Sequence, residues 1–339
     1  MKNIVNKLKK SDFADKITLI LAMLLLLVLF GSLNRNYVTF ANIINILIAC
    51  SLTGFVAIGE TNLIIAGQND LSAGSVAACA GVLAALLSRA GMPMPVALLA
   101  AVAAGCVVGA VNASLVTFLK LQPFIATLAT MSVVRGLAYI LCDGKAVGIS
   151  DKTFIRMGTY RLFGVLPIPV LVLLITFIVF GILLSKTYFG RSIYVLGGNT
   201  YAARLAGLNP TRIVFKLHIM ESGLAAFAGV LLAARMNSGQ PQACDGLEFD
   251  AITAAVLGGT AFTGGVGTIF GTFLGMLVLQ SFKTGLNMVG VPTFWQQVAQ
   301  GCLLVVALSF DFYRKHTRDK HALAESMAAR NAAAPKAKG

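Results

Sequence analysis

The chain has 339 residues, 57% of them hydrophobic and 12% charged, with a mean hydropathy of +0.83 and a formal net charge of +14. That charged share is about half of what a soluble domain carries, which excludes an ordinary water-soluble enzyme or binding module. The positive charge lies outside the apolar runs, so membrane orientation accounts for it and nucleic-acid binding does not.

A bilayer-spanning helix takes about 20 mostly apolar residues, because its backbone polar groups find no water in the hydrocarbon. Residues 1–16 form a basic N-terminus, and the apolar run 17–33 that follows has no small-residue cleavage site. It therefore reads as a retained first span and not as a signal peptide. Further spans are predicted at 43–66, 71–87, 95–119, 124–141, 165–184, 213–234, 251–262, 268–282 and 295–310. The fold class is all-α: a polytopic transmembrane helix bundle of about ten spans, within a membrane domain over residues 17–313. The eighth segment, 251–262, is too short to cross upright and reads as a re-entrant piece packed inside the protein.

Lysine and arginine orient the bundle. With the N-terminus inside, 18 of the 27 basic residues fall on inner segments, so both termini are predicted cytoplasmic. The stretch 143–164 lies outside in this topology although it carries Lys145, Lys152, Arg156 and Arg161. Residues 314–339 form a basic, Ala- and Lys-rich tail that reads as disordered. Six cysteines (Cys50, Cys79, Cys106, Cys142, Cys244 and Cys302) show no paired spacing, so neither a metal site nor a disulfide framework is expected.

Two Gly-rich corners, 65–75 and 257–268, each join two apolar runs and suggest an internal repeat. Gly267, Gly271 and Gly275 recur every four residues, as do Gly105 and Gly109, which places small faces where helices approach closely. In the first corner, Gln68, Asn69, Asp70 and Ser72 give a polar turn in which Asp70 suits the cap of the following helix. The same atoms have a second reading, on a solute path. Glu60 and Glu221 are acids inside apolar runs, where a carboxylate is costly and must face a cavity or a partner. Glu60 adjoins Thr61 and Asn62. Glu221 lies one turn from His218, and Arg135 is a candidate partner for either acid.

The loop 185–213 contains Gly198, Asn199, Ala202, Ala203, Arg204 and Gly207. Asn199 suits an N-cap, Tyr201–Leu205 forms helix readily, and Gly207 ends it. By composition alone, this short basic helix suits lipid headgroups and a protein partner equally. No G-x-x-x-x-G-K-[ST] loop occurs, so ATP binding of the usual kind is not expected in this chain. G-x-S-x-G and H-E-x-x-H are absent too, leaving no candidate catalytic residues.

Taken together, residues 59–75, the loop 190–208, and 248–275 followed by Gly285-Leu286-Asn287 and Trp295-Gln296 resemble the ribose-type ABC permeases. That family also takes in permeases for xylose, arabinose, galactose and the autoinducer-2 signal. The resemblance implies a multi-pass subunit of a bacterial inner membrane that moves a monosaccharide or similar small polar solute by alternating access. It implies three kinds of partner: a second permease chain, identical or different; a cytoplasmic ATPase that holds ATP and Mg²⁺; and an extracytoplasmic solute-binding protein. It also implies that Gly198, Asn199, Ala202, Ala203, Arg204 and Gly207 couple the chain to the ATPase.

Departures from the family pattern cluster. The usual corner reads Gly-Gly-Ile-Asp-Leu-Ser-Val-Gly-Ser, whereas here Gln68, Asn69 and Ala73 replace Gly, Ile and Val. Glu60 stands where the family has Met, Asn62 where it has an apolar residue, and Cys244 and Phe249 are unusual in their segment. Glu60, Asn62, Gln68, Asn69, Asp70 and Ser72 are therefore the candidate translocation path, with their polarity tuning solute or gating. The alternative is that they mark a subunit that works only beside a different permease. The rival class is a secondary transporter or channel needing no ATPase, against which the scarcity of intramembrane acid–histidine chains argues.

Overall fold

The computed structural model describes residues 2–309 and 312–313, with side chains from Lys16 onward. The tail predicted at 314–339 lies outside the described residues. In chain order the helices are α1 (Lys2–Leu33), α2 (Phe40–Ile65), α3 (Ala73–Arg89), α4 (Met94–Thr117), α5 (Pro123–Leu141), α6 (Lys152–Thr159) and α7 (Ile168–Lys186). There follow α8 (Tyr188–Gly198), α9 (Thr200–Leu205), α10 (Pro210–Met236), α11 (Leu247–Leu257), α12 (Ile269–Met288) and a last helix, α13, over residues 293–309. Proline in the first turn opens α4, α5, α7 and α10, where its missing N–H costs nothing.

Among the described residues, seven helices are long and apolar enough to cross a bilayer: α1 over residues 16–33, α2, α4, α5, α7, α10 and α12. Each of the ten predicted segments falls on a helix. However, α3 and α13 have 17 described residues each and α11 only 11, so length and composition place seven spans among the described residues where sequence periodicity suggested ten. The polytopic all-helical bundle stands on those seven.

At the centre, α10 packs against α2, α3 and α4, and α2 packs in turn against α7, α11 and α12. Small residues set this closeness. A side chain at Gly105 or Gly109 would run into α10 at Ser222 or His218, and one at Gly271 or Gly275 into α11 at Gly258 or Ala254. Outward faces carry Leu21, Leu25 and Val28 on α1 and Ile175, Ile178 and Ile182 on α7, as lipid contact requires.

The polar stretch 143–164 carries secondary structure of its own. Two-residue strands pair Val147–Gly148 with Ser238–Gly239, and Arg161–Leu162 with Leu166–Pro167. Between them α6 is capped by Asp151, whose carboxylate accepts from the Thr153 N–H at 2.8 Å. It seats Phe154 fully buried and packs on α10. All six cysteines are free.

Candidate functional site

Two features stand out, and the corner between α2 and α3 joins them. The first is a polar cluster sealed inside the chain. Asp70, Ser72, Asn112, His218, Glu221 and Ser222 are all 0% exposed and Glu60 is 1% exposed. Glu60 reaches back from α2 so that its two carboxylate oxygens accept from the Asp70 N–H at 3.2 and 3.3 Å. Asp70 Oδ1 accepts from the Ser72 N–H at 2.7 Å and the Ser72 hydroxyl at 2.6 Å. Asn112 on α4 donates to Asp70 Oδ2 at 3.0 Å and to Ser72 Oγ at 2.9 Å. From α10, His218 Nδ1 lies 3.6 Å from Asp70 Oδ2, and the Ser222 hydroxyl bridges Asp70 Oδ2 and Glu221 Oε2 at 3.5 Å each. Thr127 on α5 accepts from the Leu71 N–H at 3.1 Å.

A non-helical corner at membrane depth survives only when protein satisfies its backbone, and these bonds do that work. Gly59 permits the geometry. A Cβ there would sit 2.8 Å from the Glu221 Cα, so only glycine lets α2 and α10 bring Glu60 and Glu221 side by side. On the far side, a Cβ at Gly74 would press on the Glu248 carboxylate, which lies over the first turn of α3.

The structure therefore brings Glu60, Asp70 and Ser72 together. Asn62 instead donates to its own helix at Ile58 O, 2.7 Å away, and leaves its Oδ1 without a hydrogen-bond partner. Gln68 turns onto the Gly67 carbonyl at the rim, and Asn69 is buried beside it. Three local readings need correction. Asp70 binds the N–H of Ser72, which itself stands at the N-cap of α3, so Asp70 closes the turn before the helix and does not cap it. His218 faces Asp70 and not Glu221, because the corner presents its carboxylate to that side of α10. Among the described residues, Arg135 makes no ion pair with Glu60 or Glu221. It donates to the carbonyls of Pro241 and Ala243 at 2.8 and 2.7 Å, where the bend before α11 leaves them without helical partners.

Asn112, Ser222 and Thr127 escaped the sequence reading. Asn112 carries the one available signal, a polar amide inside an apolar run. Further along α2, Thr61 meets Thr272 of α12 hydroxyl to hydroxyl at 2.7 Å, and Thr53 accepts from Gln280 of α12 at 2.7 Å.

The second feature is the loop 187–209. Asn199 Oδ1 accepts from the Ala202 N–H at 3.0 Å at the start of α9, and Gly207 ends the turn at φ +77°. Ala203 points inward and is fully buried, whereas Tyr201 and Leu205, one turn apart, are each more than 70% exposed. Immediately before α9, α8 makes a backbone-to-backbone junction. A Cβ at Gly197 would overlap the Ile65 carbonyl, and the same carbonyl accepts from the Gly265 N–H at 2.8 Å. Tyr194 of α8 donates to Gly267 O at 2.7 Å. Both Gly-rich corners thus meet the surface loop at one point.

Residues 42–308 match the family described as branched-chain amino acid transport system / permease component. The L-arabinose transport system permease protein AraH of Escherichia coli (strain K12) is 39% identical over 283 residues, 84% of this chain and 86% of that protein. The ribose import permease protein RbsC of Bacillus subtilis (strain 168) is 36% identical over 292 residues, 86% of this chain and 91% of that protein. No solved structure matches. The match takes in the buried corner, the surface loop and the helices that join them, so this multi-pass membrane protein belongs to the branched-chain amino acid transport system / permease component family.

Proposed function

We propose that the chain is the translocating subunit of an ATP-driven importer for a monosaccharide or similar small polar solute. Its relatives named for arabinose and ribose support the solute class. In this reading about ten segments enter the membrane, the eighth as a re-entrant piece, both termini and the loop 185–213 are cytoplasmic, and two permease chains stand over two ATPase subunits. ATP and Mg²⁺ belong to those ATPases, and an extracytoplasmic binding protein delivers the solute.

The observation that carries the proposal is the junction of Gly197, Ile65 and Gly265. The helix α9 offers Tyr201 and Leu205 outward, with Gly198, Asn199, Ala202, Arg204 and Gly207 around them, as a docking knob for the ATPase. Ala203 anchors it inward. A push on α9 passes through Gly197 into the corner holding Asp70 and into the start of α12. Glu60, Asn62, Gln68, Asn69, Asp70 and Ser72 then act as the closed polar seam beside the path, and parting them changes access. A two-state element of this kind lets ATP in the partner bias which side is open.

The test is purification of the full chain from its host in mild detergent. The expected result is an ATPase that co-purifies and is lost when Tyr201 and Leu205 are both changed to Ala. A chain that purifies alone and moves solute in ATP-free vesicles would instead be a secondary transporter.

A further inference from the structure

Beside the surface-loop junction, between α1, α8 and the start of α12, lies a cavity of about 250 Å³ lined by Lys16, Tyr194, Gly265, Gly267 and Thr268 among others. Next to it in the chain, from Ile269 and Phe270 on, an open groove of about 350 Å³ lies between α7 and α12. The Lys16 ammonium stands between the two, 5.6 Å over the centre of the Phe270 ring. Among the described residues none that lines either space is acidic, and no carboxylate pairs with Lys16.

The groove is apolar and long. It is floored by the edge-on pair Phe177 and Phe273, 5.1 Å between ring centres, and walled by Ile178 and Ile269. It runs on α7 from Leu174 to Ser185. At ~1.5 Å per residue that is about 16 Å of helix, close to half of a roughly 30 Å hydrocarbon core. Its polar end, with Ser185 and Lys16, lies where α7 gives way to the loop 187–209. Lys186 and Arg191 stand at that same end, with Arg191 donating to the Lys186 carbonyl. A groove one leaflet deep that opens on a cation has the shape and charge of a single lipid.

We propose that this composite site binds one anionic phospholipid, its phosphate against Lys16 at the α12 end of the cavity and one acyl chain along the α7–α12 groove. The lipid would tie α1, α7 and α12 together next to the junction of Gly197 and Gly265. The proposal needs the chain to sit in a bilayer and does not depend on the importer reading.

The test uses the purified full-length chain, stripped by detergent exchange and titrated with phosphatidylglycerol, phosphatidylcholine or inorganic phosphate, with bound species counted by native mass spectrometry. One phosphatidylglycerol per chain is expected, held in preference to phosphatidylcholine. Lys16→Gln is expected to weaken it about fivefold, the effect of losing one lysine at a membrane surface. Gly181→Leu is expected to abolish it, since position 181 lines the groove and a Cβ there meets only Ile269 at 4.0 Å, ordinary contact that leaves the fold intact. Lys152→Gln, on α6, serves as the control with unchanged binding. Equal binding of phosphatidylcholine, displacement by inorganic phosphate, or wild-type binding in both variants would each overturn the proposal. The first would mean a general lipid shell and the second a simple anion site.

Discussion

The carboxylate of Asp70 and the imidazole of His218 face each other at 3.6 Å with neither side chain exposed. One belongs to the corner after α2 and the other to the central helix α10, so the contact ties an irregular turn to the middle of the bundle. Ser72, Asn112 and Ser222 fill the remaining sites on the same carboxylate. A corner of this kind is expensive to open, because every group it releases is buried.

Replacing Asp70 by Ala is therefore expected to be among the most damaging single changes in the chain. It strands the Ser72 N–H, the Asn112 amide and His218 together, a loss of about 3 kcal/mol or more. Ser222→Ala removes only one 3.5 Å contact at each end and is expected to cost under ~1 kcal/mol. Thermal unfolding of both variants in the same detergent measures the difference. Equal midpoints would mean that the cluster does not hold the corner.

Neighbouring glycines at the α8 terminus give a matched pair. A Cβ at Gly197 overlaps the Ile65 carbonyl, whereas one at Gly198 meets nothing within 4 Å. Gly197→Ala is expected to force α8 away from the junction, lowering the unfolding midpoint and abolishing uptake. Gly198→Ala is expected to keep wild-type stability. Uptake assays in proteoliposomes beside thermal melts separate the two, and similar behaviour of both variants would refute the role given to the junction.

Loss of the Asn199 cap is expected to cost α9 about 1 kcal/mol. Exposed Tyr201 and Leu205 make no such local contribution, so Tyr201→Ala and Leu205→Ala are expected to stay within ~0.5 kcal/mol of wild type. In the importer reading, what the latter two are expected to lose is the ATPase, read by co-purification and by ATP hydrolysis in the reconstituted complex. If they melt early yet keep the partner, the surface is structural and not a docking face.

How much of this was legible in the sequence depended on range. The α9 cap and stop sit within nine residues of each other, from Asn199 to Gly207, and follow from local chemistry. The helices that carry the ten predicted segments followed from apolar runs. The corner cluster did not, because its bonds join Asp70 to Asn112 and Ser222, residues far away in the chain with no periodicity linking them. His218 and Glu221 suggested each other only because they share a helix. The orientation of α10 toward the corner decided otherwise. Arg135 misled for a related reason: a cation inside an apolar run suggests an acid, but the carbonyls of Pro241 and Ala243 are equally good acceptors. The helix α6 was hidden by its brevity and its charge.

Glu60 offers the sharpest test of the polar corner, since the resemblance places Met there in the family. Its carboxylate accepts the Asp70 N–H with both oxygens, and Gln retains one such oxygen while Met retains none. Glu60→Gln is thus expected to fold and transport close to wild type. Glu60→Met leaves a buried N–H unpaired, which costs about 1–3 kcal/mol, unless the corner relaxes toward a tighter turn. Adding Gly at position 68 supplies that freedom, because the Gln68 side chain bonds its neighbour's carbonyl at the rim and the backbone bond to Leu63 O survives the change. The double variant Glu60→Met with Gln68→Gly should therefore regain stability over Glu60→Met alone while its uptake rate or solute preference shifts. Uptake of the cognate solute and coupled ATP hydrolysis, compared across the three variants, decide the matter. If the double variant transports and hydrolyses as the wild type does, the polar residues of this corner tune neither solute nor gating.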